Sequence, residues 1–168
     1  NYYNRFYFVH PDGAVQHYDK KHLFTFGGEH KRFTAGTERV VVNFRGVRIL
    51  LEVCYDLRFP VWSRNLGDYD MILYVASWPT PRVDAWSALL RARAIENQCY
   101  VAGVNRMGTD PACEYSGGSA IIDPYGKTIA ECPWSRESAV SADIDMEALQ
   151  AFRKKFPVLD DADPFTLI

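Results

Sequence analysis

Apolar and polar positions sort this chain into short strands and a few helices. Residues 4–9 are aromatic and β-branched, Pro11-Asp12-Gly13 supplies turn chemistry, and residues 14–20 read as a returning strand, so the opening predicts a β-hairpin. The polar stretch 27–36 has no period and reads as a loop. Residues 39–44 and 47–54 predict two strands around a tight Arg45-Gly46 turn, and the second is apolar enough for a central strand. Residues 59–66 fit a short helix with Pro60 in its first turn, and 70–76 another buried strand. Over 83–98 the spacing changes: Trp86, Leu89, Leu90, Ala94 and Ile95 recur at three- and four-residue steps, the signature of a helix. A strand at 99–104, a hairpin at 118–123 and 127–131 about Pro124-Tyr125-Gly126, a last strand at 139–144 and a helix at 146–156 follow, with an irregular tail. Because strands are joined both by hairpins and by helices, the pattern predicts an α/β chain of α+β type, with a mixed sheet packed under helices.

Composition narrows the function classes. At 168 residues the chain has the length of one domain, 1–168, with room for a sizeable core. A net charge of −2 gives no electrostatic case for nucleic acid or an anionic membrane surface. No run approaches the ~20 apolar residues of a membrane span. The cysteines, at 54, 99, 113 and 132, form no CxxC pair and no Cys/His metal spacing, and read as reduced thiols of a cytoplasmic protein. The chain opens on Asn1-Tyr2-Tyr3 without Met and enters a strand at once, which predicts that sequence is missing upstream.

Several residues could carry chemistry. Cys54 ends a buried strand and is followed by Tyr55-Asp56-Leu57-Arg58-Phe59-Pro60. A strand that stops at a cysteine and turns sharply into a helix presents the thiol at an elbow, where a helix N-terminus favours thiolate and the next N–H can face a substrate carbonyl. Judged alone, a Cys at a strand end is more often a small core residue. Lys20 and Lys21 end a strand, so at most one of them faces a given pocket. His22 reads as a hydrogen-bonded structural imidazole. Glu29 lies in the following loop, and Trp78 overhangs a strand end as either a core lid or a pocket wall.

Taken together, these pieces resemble one family. Lys20-x-His22-Leu23-Phe24 resembles the lysine motif of the nitrilase superfamily of carbon–nitrogen hydrolases, and Val53-Cys54-Tyr55-Asp56-Leu57-Arg58-Phe59-Pro60 its cysteine motif. Arg91-Ala92-Arg93-Ala94-Ile95-Glu96-Asn97 is similar to the helix that follows, and the run from Gly117 to Gly126 to a later hairpin. The four motifs stand in the family's order over most of the chain. Cys54-Tyr55-Asp56 matches amidase branches rather than the nitrile-cleaving Cys-Trp-Glu, and Asp19-Lys20-Lys21-His22-Leu23-Phe24 with Ala76-Ser77-Trp78-Pro79 looks most like the omega-amidases.

The resemblance implies a four-layer α-β-β-α sandwich, lacking here its first strand–helix region, and a homodimer or higher oligomer. It makes Cys54 the nucleophile, Lys20 the catalytic lysine and Glu29 a second, substrate-orienting glutamate, with no cofactor and no metal. Lys20 and the Tyr55 N–H would bind the oxyanion, with Arg58 and Trp78 on the substrate and Arg82 a further candidate for a substrate carboxylate. The implied reaction is hydrolysis of a small carboxylic-acid amide through a cysteine thioester, releasing ammonia, as in a 2-oxo acid omega-amidase. The family's general-base glutamate lies upstream of the lysine motif, so the chain reads as N-terminally incomplete and its activity needs that residue. Alternatives are a carbamoyl-amine hydrolase or other amidase of the superfamily, and a non-catalytic assembly subunit of the same fold.

Overall fold

The structure, a computed structural model, describes residues 1–166. A hairpin of β1 (Arg5–Val9) and β2 (Val15–Asp19) opens the chain. Its turn is held by Asp12, whose carboxylate accepts from the Ala14 N–H at 3.0 Å, and by Gly13 with φ 86°. Next come two one-turn 3-10 segments, Thr25–Gly27 and Glu29–Lys31, where a plain loop was expected. Gly28, at φ 76°, joins them, which lets the chain fold back tightly enough for 3-10 bonds.

Six strands form the main sheet. β3 (Val41–Phe44) and β4 (Val47–Val53) are antiparallel across Arg45 and Gly46, both in the left-handed region at φ 51° and 82°, as a tight hairpin turn requires. A one-turn segment, Cys54–Arg58, and the short α1 (Pro60–Ser63) lead to β5 (Met71–Ala76), which runs parallel to β4. The long α2 (Val83–Glu96) then crosses back to β6 (Tyr100–Asn105), parallel to β5. A small hairpin that the residue pattern did not reveal, β7 (Met107–Thr109) with β8 (Glu114–Ser116), stands outside the sheet. The sheet closes with β9 (Ala120–Ile122) and β10 (Thr128–Glu131), giving the order β10-β9-β6-β5-β4-β3. The chain then enters α3 (Met146–Lys155), capped by the Asp145 carboxylate on the Ala148 N–H at 2.8 Å.

The strand expected at 139–144 does not form. Residues 139–141 are solvent-exposed, so their apolar side chains gain nothing by pairing. The tail contains one 3-10 turn, Val158–Asp161, and its last two residues lie outside the described region.

The sheet has apolar residues on both faces. Leu50, Ile72, Tyr74 and Val101 face α2, whose Trp86, Leu90 and Ala94 recur every four residues. Gly103 lets that helix in: a Cβ there would stand 2.6 Å from Leu90 Cδ1. On the other face Ile49, Leu51 and Val53 pack against Tyr18 and Trp62, with Phe6 and Phe8 of the hairpin alongside. The described residues thus build a helix layer, a full mixed sheet and a narrow second β layer, as the expected sandwich fold requires. Among them no helix is long and apolar enough to cross a membrane.

Candidate active site

Parallel strands send their carboxyl ends the same way, and ligand sites in such sheets form where those ends stop. Here β4 ends at Val53 and β5 at Ala76, and the segments that follow, Cys54–Arg58 and 77–79, border one cavity of about 520 Å³. Lys20, Glu29, Cys54, Tyr55, Arg58 and Trp78, the six site residues expected from sequence, all line it. So the thiol and the ammonium, 34 positions apart by number, reach the same space.

Cys54 sits at a sharp elbow. Its φ is 49°, a left-handed value that costs a non-glycine residue on the order of 1–3 kcal/mol. The sulfur makes a long contact of 3.9 Å to the Ser77 carbonyl. Burial pushes the thiol above its ordinary pKa, while the Lys20 charge pulls it down and Glu29 and Asp56 push it back up. The expectation that a helix N-terminus would favour thiolate is therefore corrected: the following segment is a single 3-10 turn, and desolvation outweighs it.

The elbow is tied down by Asp56, which is fully buried. Its carboxylate accepts from Val53 N–H at 3.0 Å, Tyr18 O–H at 2.8 Å and His22 N–H at 2.9 Å, and pairs with His22 Nδ1 at 2.8 Å. Tyr18 in turn accepts from the Lys21 N–H and from Trp62 Nε1, both at 3.1 Å. Four donors on one carboxylate offset its desolvation. His22 is thus the structural imidazole expected, stacked on Phe59 with ring centroids 3.9 Å apart.

Lys20 is the lysine that faces inward, with its side chain only 1% exposed. Lys21 instead lies over the Trp62 ring. Backbone bonds from Lys20 N–H to Asn4 O and from Gly36 N–H to Lys20 O, both 2.9 Å, fix its position. Its ammonium donates to Glu29 at 2.7 and 3.0 Å, using two of its three N–H bonds. Glu29 also accepts from the Phe24 N–H at 2.7 Å and from Asn4 Nδ2 at 3.3 Å.

Trp78 is both things the sequence left open, buried in the core and lining the cavity. Asn105 holds it: the Asn105 carbonyl oxygen accepts from Trp78 N–H at 2.7 Å, and its amide donates to Trp78 O at 3.0 Å and Gly117 O at 2.7 Å. The Arg58 guanidinium lies 4.9 Å from the Trp78 ring centre, and that of Arg82 5.5 Å from Phe24. Sequence reasoning missed Asn105, although a polar residue closing an apolar strand was the available signal. It also missed Cys113 and Tyr115, which reach the cavity from the unexpected β7–β8 hairpin. No group of three or more metal-binding side chains is present among the described residues.

Comparison with known proteins shows the family and the fold. A family model described as carbon-nitrogen hydrolase matches residues 1–154. The chain is 55% identical over 165 residues to the omega-amidase YafV of Escherichia coli K12, covering 98% of this chain and 64% of that protein. It is 41% identical over 162 residues to the 2-oxoglutaramate amidase of Bacillus subtilis 168, covering 95% and 62% respectively. The crystal structure of XC1258 from Xanthomonas campestris, a CN-hydrolase superfamily protein with an arsenic adduct in its active site, superimposes with a TM-score of 0.95 at 48% identity, over 98% of this chain and 65% of that one. The chain thus spans just under two thirds of each of these proteins.

Proposed function

This chain belongs to the carbon–nitrogen hydrolase family, and from that premise we propose that it carries the cysteine–lysine part of an amidase site acting on a small carboxylic-acid amide. The observation that carries the reading is the shared cavity: the Cys54 sulfur and a buried, glutamate-braced ammonium line one space. Similarity to an omega-amidase and a 2-oxoglutaramate amidase supports the terminal amide of a 2-oxo acid as the substrate class.

In this reading the Cys54 sulfur attacks the amide carbon and the carbonyl oxygen takes negative charge. The third N–H of Lys20 and the backbone N–H of Tyr55 receive that charge. Glu29 holds the ammonium aimed, its own oxygens being already engaged by Lys20, Phe24 and Asn4. The thiol proton passes to the general-base glutamate that the family resemblance places upstream of the lysine motif, and the same group returns it to the departing ammonia. Breaking the C–N bond leaves a thioester on Cys54, which water then cleaves to free the acid. Residues 1–168 are read as one domain, in a cytoplasmic homo-oligomer.

Ammonia release from a panel of terminal amides, measured on the full-length protein beside its Cys54→Ala variant, tests the assignment. Activity confined to the unsubstituted enzyme is expected. Turnover that survives in Cys54→Ala refutes the nucleophile.

A further inference from the structure

A buried cation stands behind the Cys54 elbow. Arg93 lies on α2 and is only 3% exposed. Its Nη2 donates to the Leu57 carbonyl at 2.6 Å and its Nη1 to Glu96 Oε1 at 2.8 Å, while its Nε is buried without a partner. Glu96, three residues on along the same helix, is 34% exposed, so that pair alone adds little to stability. An apolar side chain of similar volume would avoid the desolvation of a buried charge altogether. What the guanidinium gains instead is a grip on the backbone of another segment.

The carbonyl it grips lacks any other donor. Leu57 belongs to the one-turn Cys54–Arg58 segment, and a continued helix would bring it an N–H from position 60 or 61. Phe59 instead leaves the helical region at φ −117°, ψ 86°, and Pro60 has no N–H. Among the described residues no backbone N–H donates to the Leu57 oxygen. Arg93 fills that gap from α2 with a charge-assisted bond. The elbow is thus held at both ends: Asp56 accepts from the Val53 N–H before Cys54, and Arg93 donates to Leu57 after it. Tyr55 lies between the two grips, and Cys54 keeps a left-handed φ of 49° that relaxes unless its surroundings over-determine it.

We infer that Arg93 is a positioning residue of the site: through the Leu57 oxygen it fixes the course of the elbow, so that the Tyr55 N–H meets the negative charge formed on a carbonyl attacked by the Cys54 sulfur. This deepens the amidase reading and rests on it for the reaction. It concerns aim and not thiol ionisation. The charges that chiefly shift the Cys54 thiol are those of Lys20, Glu29 and Asp56, so replacing Arg93 should leave the pH midpoint of its alkylation in place.

Two rates at Cys54 of the full-length protein test it. Acylation by p-nitrophenyl acetate passes through an oxyanion and alkylation by iodoacetamide does not, so their quotient reports the oxyanion donors with thiol ionisation divided out. Arg93→Met is expected to lower the quotient about tenfold, with the alkylation midpoint unmoved. Cys99, fully buried, should stay protected from the reagent, which shows that the variant is folded. Amide turnover should follow, kcat falling about tenfold at a KM within about twofold, and Arg93→Lys, which keeps one charged donor for the Leu57 oxygen, should recover most of both. An unchanged quotient overturns the inference, including the case in which acylation and alkylation slow equally, the mark of a merely structural residue. If Arg93→Met does not fold, Arg93→Lys is set against Arg93→Gln, whose side chain is too short to reach. A higher quotient in the lysine variant is then expected, and equal quotients overturn the role. If the unsubstituted protein turns over no amide while the quotient still falls in Arg93→Met, the reaction reading fails and the positioning role stands.

Discussion

The Tyr18 hydroxyl donates to the Asp56 carboxylate at 2.8 Å, bonding the residue two before the buried lysine to the residue two after the cysteine that lines the cavity. Both side chains are fully buried. Through Val53 and His22 the same carboxylate reaches the backbone on either side, so the cysteine elbow and the lysine segment are held as one unit. Removing the Asp56 charge leaves buried donors competing for one oxygen. Asp56→Asn is expected to destabilise the fold by about 3 kcal/mol, and Tyr18→Phe by about 1–3 kcal/mol, in urea unfolding. The two losses should fall short of additivity in a double-mutant cycle, because both break one network.

The thiol gives a second test. Burial raises the Cys54 pKa and Lys20 opposes the rise. The alkylation rate of Cys54 should therefore have its pH midpoint above that of a free thiol, and Lys20→Met should move the midpoint higher still. An unchanged midpoint in that variant would separate the lysine from the sulfur. Lys20→Met is also expected to slow turnover by a barrier of about 2.7–4 kcal/mol, the cost of losing an oxyanion donor.

Glu52 makes stability depend on pH. Its carboxyl is fully buried, accepts from Ser63 Oγ at 2.9 Å through one oxygen and leaves the other without a partner. Burial, and then the nearby Asp56, push its pKa up from 4.5 to about 8, against Tyr74, Ser63 and Arg93, which lower it. The folded protein thus holds a proton that the unfolded chain releases at lower pH. The stabilising contribution of the neutral acid is complete below about 4.5 and is lost as pH rises through about 8. Glu52→Gln, which cannot ionise, should flatten this part of the profile and be the more stable form at pH 9, by on the order of a few kcal/mol in thermal or urea unfolding.

Gly36 offers a purely steric test of how the lysine is placed. A Cβ on it would collide with the backbone carbonyl of Asp19, immediately before Lys20. Backbone cannot step aside as a side-chain tip can, so Gly36→Ala should cost at least about 2 kcal/mol and lower the rate at which Cys54 is alkylated. Full stability in that variant would mean that this segment shifts without penalty.

Much of this was legible in the residue pattern, and the exceptions have physical causes. Strands such as β4 and β5 announce themselves because both faces are buried, so Leu50 and Leu51 are alike apolar. Lys20 and Cys54 could be paired only because neighbouring residues matched two known motifs, since nothing in the spacing of positions 20 and 54 reports their convergence. The β7–β8 hairpin escaped notice because each strand has three residues and β7 is wholly exposed, which leaves no alternation to read. The expected strand at 139–144 failed for the converse reason, a β-prone composition with no neighbour to bury it. Asp56 stood in a motif, but its four-donor role belongs to tertiary structure and has no period of its own.

The left-handed backbone at Cys54 sets stability and chemistry against each other at one residue. Glycine would occupy that conformation without steric penalty, so the substitution most comfortable for the elbow is the one that abolishes the sulfur. A library screened for heat resistance alone would gain by replacing the proposed nucleophile, and only a concurrent screen for reactivity would hold the cysteine in place.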